Sequence, residues 1–106
     1  MIITTTNSIE GMRTVKVLGL VQGSTVRPGH VGRDIMAGLR NLVGGEVTEY
    51  SKLLAESRED SLRRMTEQAE EKGANAVIGM QFMTSMIMGG DAEILSYGTA
   101  VTVEEG

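Results

Sequence analysis

The sequence predicts an α+β domain: a short N-terminal strand, then β-α-α-β-β, with a mixed sheet covered by helices on one face. Three observations carry this expectation. A β-prone run spans residues 14–26, and a charged amphipathic stretch spans 48–72. Two further strand-like runs, 75–88 and 92–103, flank a Gly89-Gly90-Asp91 turn. No linker, internal repeat or low-complexity segment divides the 106 residues, so residues 1–106 read as one domain.

Ile2 and Ile3, followed by threonines, make residues 2–5 β-prone, and Asn7, Ser8 and Gly11 supply turn chemistry. In 14–26, Val15, Val17, Gly19 and Val21 share one face, and Lys16, Leu18, Leu20 and Gln22 the other. Both faces are largely apolar around 17–21, which predicts a central strand covered on both sides. Gly19 and Gly23 are expected at a bend or bulge. Arg27-Pro28-Gly29 ends the strand.

A helix is expected from about Val31, with Val31, Ile35, Leu39, Leu42 and Val43 on one stripe and Gly44-Gly45 as its stop. Gly38 within it costs about 1 kcal/mol relative to alanine, a cost that close packing against another backbone explains. Thr48 can cap a second helix running to about Lys72, where Gly73 ends it. Its loose apolar stripe is Tyr50, Leu54, Leu62, Met65 and Ala69. Glu59 with Arg63 and Asp60 with Arg64 are favourable i,i+4 pairs, whereas Glu67 and Glu71 repel. In the last strand Leu95, Tyr97, Val101 and Val103 share one face, and Ile94, Ala100 and Thr102 the other. A strand, a helical crossover and a second strand predict parallel neighbours, and the final hairpin adds an antiparallel strand.

Hydrophobic residues make up 41% of the chain and aromatics only 3%, so the core must come from Val, Ile, Leu, Met and Ala. A thin core and exposed sheet edges both predict a homo-oligomer. The net charge of −4, ten basic against fourteen acidic residues, argues against a nucleic-acid partner. There is no aromatic platform for stacking on single strands. Cysteine is absent, which excludes disulfides and thiolate metal sites. The N-terminus lacks the pattern of a signal peptide, and no apolar run approaches the ~20 residues of a membrane span. A soluble, cytoplasmic protein with no membrane partner is expected.

The run Arg33-Asp34-x-x-Ala37-Gly38-Leu39-Arg40-Asn41-x-Val43-Gly44-Gly45 resembles the signature of the YbjQ family, whose members carry a heavy-metal-binding label. Glu49-Tyr50, Gly73-Ala74-Asn75-Ala76-Val77-Ile78-Gly79 and Tyr97-Gly98-Thr99-Ala100-Val101 agree with it in the same order. The resemblance implies a dodecin-like subunit assembled as a homopentamer, and no settled activity. The missing cysteines put soft-metal thiolate binding out of reach.

Three constellations can carry chemistry. The first is Arg33, Asp34, Arg40, Glu49 and Tyr50, at and after the predicted first helix. A helix N-terminus favours anions, and two arginines can hold a carboxylate or phosphate. The plainer reading is an ion-pair network that fixes the helices or a subunit contact. The second is the methionine set: Met80, Met86 and Met88 on one strand face, Met83 on the other. Thioethers suit copper(I), but methionine also fills irregular cores that lack aromatics. The third is His30, able to pair with Asp34 at i,i+4, or simply solvated near a turn. No phosphate loop and no Ser/His/Asp arrangement is visible, so an enzyme is not expected. The leading reading is a homo-oligomer that binds a metal ion or small anion in pockets repeated by symmetry; cofactor and metal identity stay open. The alternative is a structural or regulatory assembly protein that recognises a protein partner, with no small ligand.

Overall fold

A computed structural model describes residues 1–27, 48–86 and 91–106, with the side chains of 27 and 48–51 outside the description. The elements are β1 (Ile2–Ile3), β2 (Met12–Arg27), α1 (Thr48–Glu71), β3 (Ala76–Met86) and β4 (Ala92–Glu105). The fold is α+β, with a mixed four-stranded sheet in the order β1-β3-β4-β2. β1 runs parallel to β3, and β4 is antiparallel to both β3 and β2. The expected first helix and the Gly89-Gly90 turn lie outside the described residues.

The topology corrects two expectations. β2 and β3 do run in the same direction, but they are not neighbours: β4 lies between them. β2 is therefore an edge strand and not the central one. Its apolar run misled because two register shifts, at Thr14/Lys16 and Val17/Gly19, change which side chains face the core. Gly19, at φ +110°, takes the second of these. After it, Val21, Gly23 and Thr25 point to the helix and are buried, while Val17 and Leu20 are each 63% exposed. β4 takes the central place instead, with Ile94, Ser96, Gly98 and Ala100 buried on the helix side.

α1 lies over β2 and β4, and its 24 residues span about 36 Å. Gly73, at φ +84°, ends it, and Gly73 N–H bonds the Glu70 carbonyl at 2.9 Å. Met65 and Ala69 pack with Val21, Val77, Met80 and Ala100 as the main core, joined by partly buried Leu18 and Leu62. The buried stripe continues not through leucines but through Ser57 and Ser61. Each hydroxyl is satisfied on its own helix: Ser57 Oγ donates to the Leu53 carbonyl and Ser61 Oγ to the Arg58 carbonyl, both at 2.9 Å. Small side chains let the helix come down onto Gly23, where a Cβ would overlap the backbone of Ser61 and Met65. Gly23 is thus a contact point and not the bend expected of it.

Among the described residues the opposite face is covered at one end. There Ala76, Val101 and Val103 are buried beneath Ile9 and Met12. The segment after β1 stays on the outer edge of β3: Thr4 N–H bonds the Val77 carbonyl at 3.0 Å, and Gly79 N–H bonds the Thr6 carbonyl at 2.8 Å. Asn75 ties the start of β3 to the end of β4 by two bonds. Its Nδ2 donates to the Val103 carbonyl at 2.9 Å, and its Oδ1 accepts from Val103 N–H at 2.8 Å.

Candidate functional site

Of the polar set expected to hold a ligand, Arg33, Asp34 and Arg40 lie outside the described residues, as do His30 and Met88. Glu49 and Tyr50 fall in the first turn of α1, and their side chains lie outside the description. Among the described residues no group of three or more His, Asp or Glu side chains is placed to hold a metal ion. The other methionines separate: Met80 is buried in the core, while Met83 is 50% and Met86 73% exposed. The register places Met83 opposite Leu95, on the face away from α1, and Met86 opposite Ala92, on the helix side. Helical charges also sort differently from the expected pairs. Arg63 sits 3.5 Å from Asp60, and Arg64 Nη1 donates to the Ser24 carbonyl at 2.6 Å.

What the described residues do show is large apolar side chains exposed on both faces of the sheet. On the face away from α1, Leu20 and Val26 of β2, Leu95 and Tyr97 of β4, and Met83 of β3 are interspersed with polar side chains: the register sets Gln22, Tyr97 and Gln81 in one row and Ser24, Leu95 and Met83 in the next. Tyr97 Oη bonds Gln81 Oε1 at 3.1 Å across this face. On the helix side α1 covers β2 and β4, which leaves Phe82 and Met86 of β3 outside its shadow and exposed. The sequence showed these residues as strand positions but not their exposure, since the bulges in β2 decide which of them face outward.

The architecture defines a class: small α+β proteins in which one long helix lies on an antiparallel-rich sheet. The fold is shared, at a TM-score of 0.65 and 14% identity over 98% of each chain, with the crystal structure of a Pediococcus pentosaceus protein of unknown function from the DUF74 family. The family model described as "Putative heavy-metal-binding" matches residues 1–104. A UPF0145 protein of Methanosarcina acetivorans is 57% identical over 103 residues, 97% of each chain. Another from Dehalococcoides mccartyi is 51% identical over 104 residues, 98% of this chain and all of that one. The chain belongs to the YbjQ, or UPF0145, family. That family carries no specific named activity in these relatives. Among the described residues, no helix is long and apolar enough to cross a membrane.

Proposed function

We propose that the chain is a non-enzymatic, cytoplasmic subunit of a homopentamer that binds a metal ion or small anion in pockets repeated by symmetry. The observation that carries the assembly half of this reading is the exposure of large apolar side chains on both faces of the sheet: Val17, Leu20 and Met83 on one, Phe82 and Met86 on the other. The shape supports it as well. The radius of gyration is 17.3 Å, against about 13 Å for a compact chain of this length. These apolar side chains are exposed among the described residues, and further copies of the same chain would bury them. The ligand would be held by Arg33, Asp34, Arg40, Glu49 and Tyr50, whose two cations suit an anion and whose carboxylates suit a hard or borderline cation.

Native mass spectrometry of untagged protein, with and without added copper(I), zinc, nickel or inorganic phosphate, tests both parts together. Retained or added ligand mass in proportion to subunit number is the expected result. An assembly that binds none of these probes removes the ligand half. A single-chain mass at micromolar concentration removes the assembly half, and leaves a different protein as the partner for the same apolar surface.

A further inference from the structure

Among the described residues no strand lies beyond β2, and its outer edge carries two side chains from α1. In an edge strand every second residue turns its backbone N–H and C=O outward, where another strand can pair with them. Gln22 and Ser24 are such residues. Gln22 N–H donates to Gln68 Oε1 at 2.7 Å, and the Ser24 carbonyl accepts from Arg64 Nη1 at 2.6 Å. Arg64 and Gln68 are four apart and so rise from the same side of α1. The seating of the helix at Gly23, between the two, aims both at the edge. One supplies an acceptor and the other a donor, which is what an added strand would supply. Nearer the N-terminus the same edge is broken by the register shifts at Thr14/Lys16 and Val17/Gly19.

We propose that Arg64 and Gln68 form a latch that closes the β2 edge at Gln22 and Ser24 against an added strand, so that copies of this chain associate without strand addition at this stretch. The proposal rests on the assembly reading above and narrows it. Arg64 and Gln68 are exposed, so the latch is held by its two hydrogen bonds and not by burial. It competes with strand addition instead of forbidding it.

Amide hydrogen exchange by NMR tests this on untagged protein, with the mass of each sample measured alongside. Gln68→Met removes the acceptor and keeps the apolar stem. Exchange at the Gln22 amide is expected to rise about tenfold, the scale of one net hydrogen bond, while Val21 and Gly23, whose amides face β4, are unchanged. Arg64→Met combined with Gln68→Met is expected to add species above the wild-type mass. Unchanged protection of Gln22 in Gln68→Met, in an assembly of unchanged mass, means that something other than Gln68 covers this amide. That result overturns the latch and leaves the assembly reading standing. A double variant with fast Gln22 exchange but no added mass also overturns it. A wild-type mass of one chain overturns the assembly reading instead, and the exchange result still decides whether Gln68 covers Gln22.

Discussion

Gly23→Ala places one methyl group where α1 meets β2. Gly23 is not among the positive-φ glycines, so alanine fits its backbone and the whole cost is steric. The added Cβ would lie 2.7 Å from Arg64 Cβ, where ordinary contact begins at 3.4 Å, and closer still to the backbone at Ser61 and Met65. A helix backbone cannot turn aside as a side chain can, so α1 must lift by about 1 Å. A gap of about 0.5–1 Å forfeits a quarter to a half of each contact's attraction along the seam that holds Val21, Met65 and Ala69. Overpacking costs about 1–3 kcal/mol, and the stiffer unfolded chain returns less than about 1 kcal/mol. A net loss of about 2 kcal/mol should lower Tm by about 10 °C in a domain near 100 residues. Circular dichroism melts of wild type, Gly23→Ala and Gly11→Ala make the assay. Gly11, at φ +78° with nothing within 4 Å of a Cβ, reports backbone strain alone. A Gly23→Ala melt within about 2 °C of wild type refutes the close seating of the helix on β2.

The buried hydroxyl pair behaves asymmetrically. Ser61 Oγ lies 2.6 Å from Ser96 Oγ, and since Ser61 gives its proton to the Arg58 carbonyl, Ser96 is the donor between them. Ser61→Ala strands the buried Ser96 hydroxyl and should cost about 1–3 kcal/mol in urea unfolding; Ser96→Ala leaves Ser61 paired and should cost less. Thr25 Oγ1 is buried with no hydrogen-bond partner among the described residues, so Thr25→Val should raise the urea midpoint, by about 1 kcal/mol of stability. Asn75→Ala breaks both bonds to Val103 and should cost about 1–3 kcal/mol, with exchange at the Val103 amide accelerated more than at Val101.

The elements that sequence reading located well are those with local punctuation. Thr48 and Gly73 bracket α1, and Ala92 opens β4 beside the expected turn, because caps and glycines act within a few residues. Strand order depends on long-range pairing, which local pattern does not encode, so β4 displaced β2 from the centre. The apolar run 17–21 is a case in point. A fully covered strand and a bulged edge strand can share that composition, and Val17 and Leu20 are on the surface while Val21 is in the core. Ser57 and Ser61 escaped notice as core residues because their hydroxyls read as polar, although the helix's own carbonyls satisfy them. The charged set around Arg33 stood out in the sequence through its residue types and its family match. The exposed apolar surface needed three dimensions, since its residues come from β2, β3 and β4.

Burial of that surface between identical subunits is tested most directly by sedimentation equilibrium of the untagged chain, alone and as Leu20→Glu with Met83→Glu. Both residues are half or more exposed in one copy, so charge there should not unfold it. The wild type is expected at the mass of five chains of 11.4 kDa each, and the double variant at a much smaller species with its circular dichroism spectrum unchanged. A wild type that sediments as one chain, or a double variant that keeps the full mass, would contradict it.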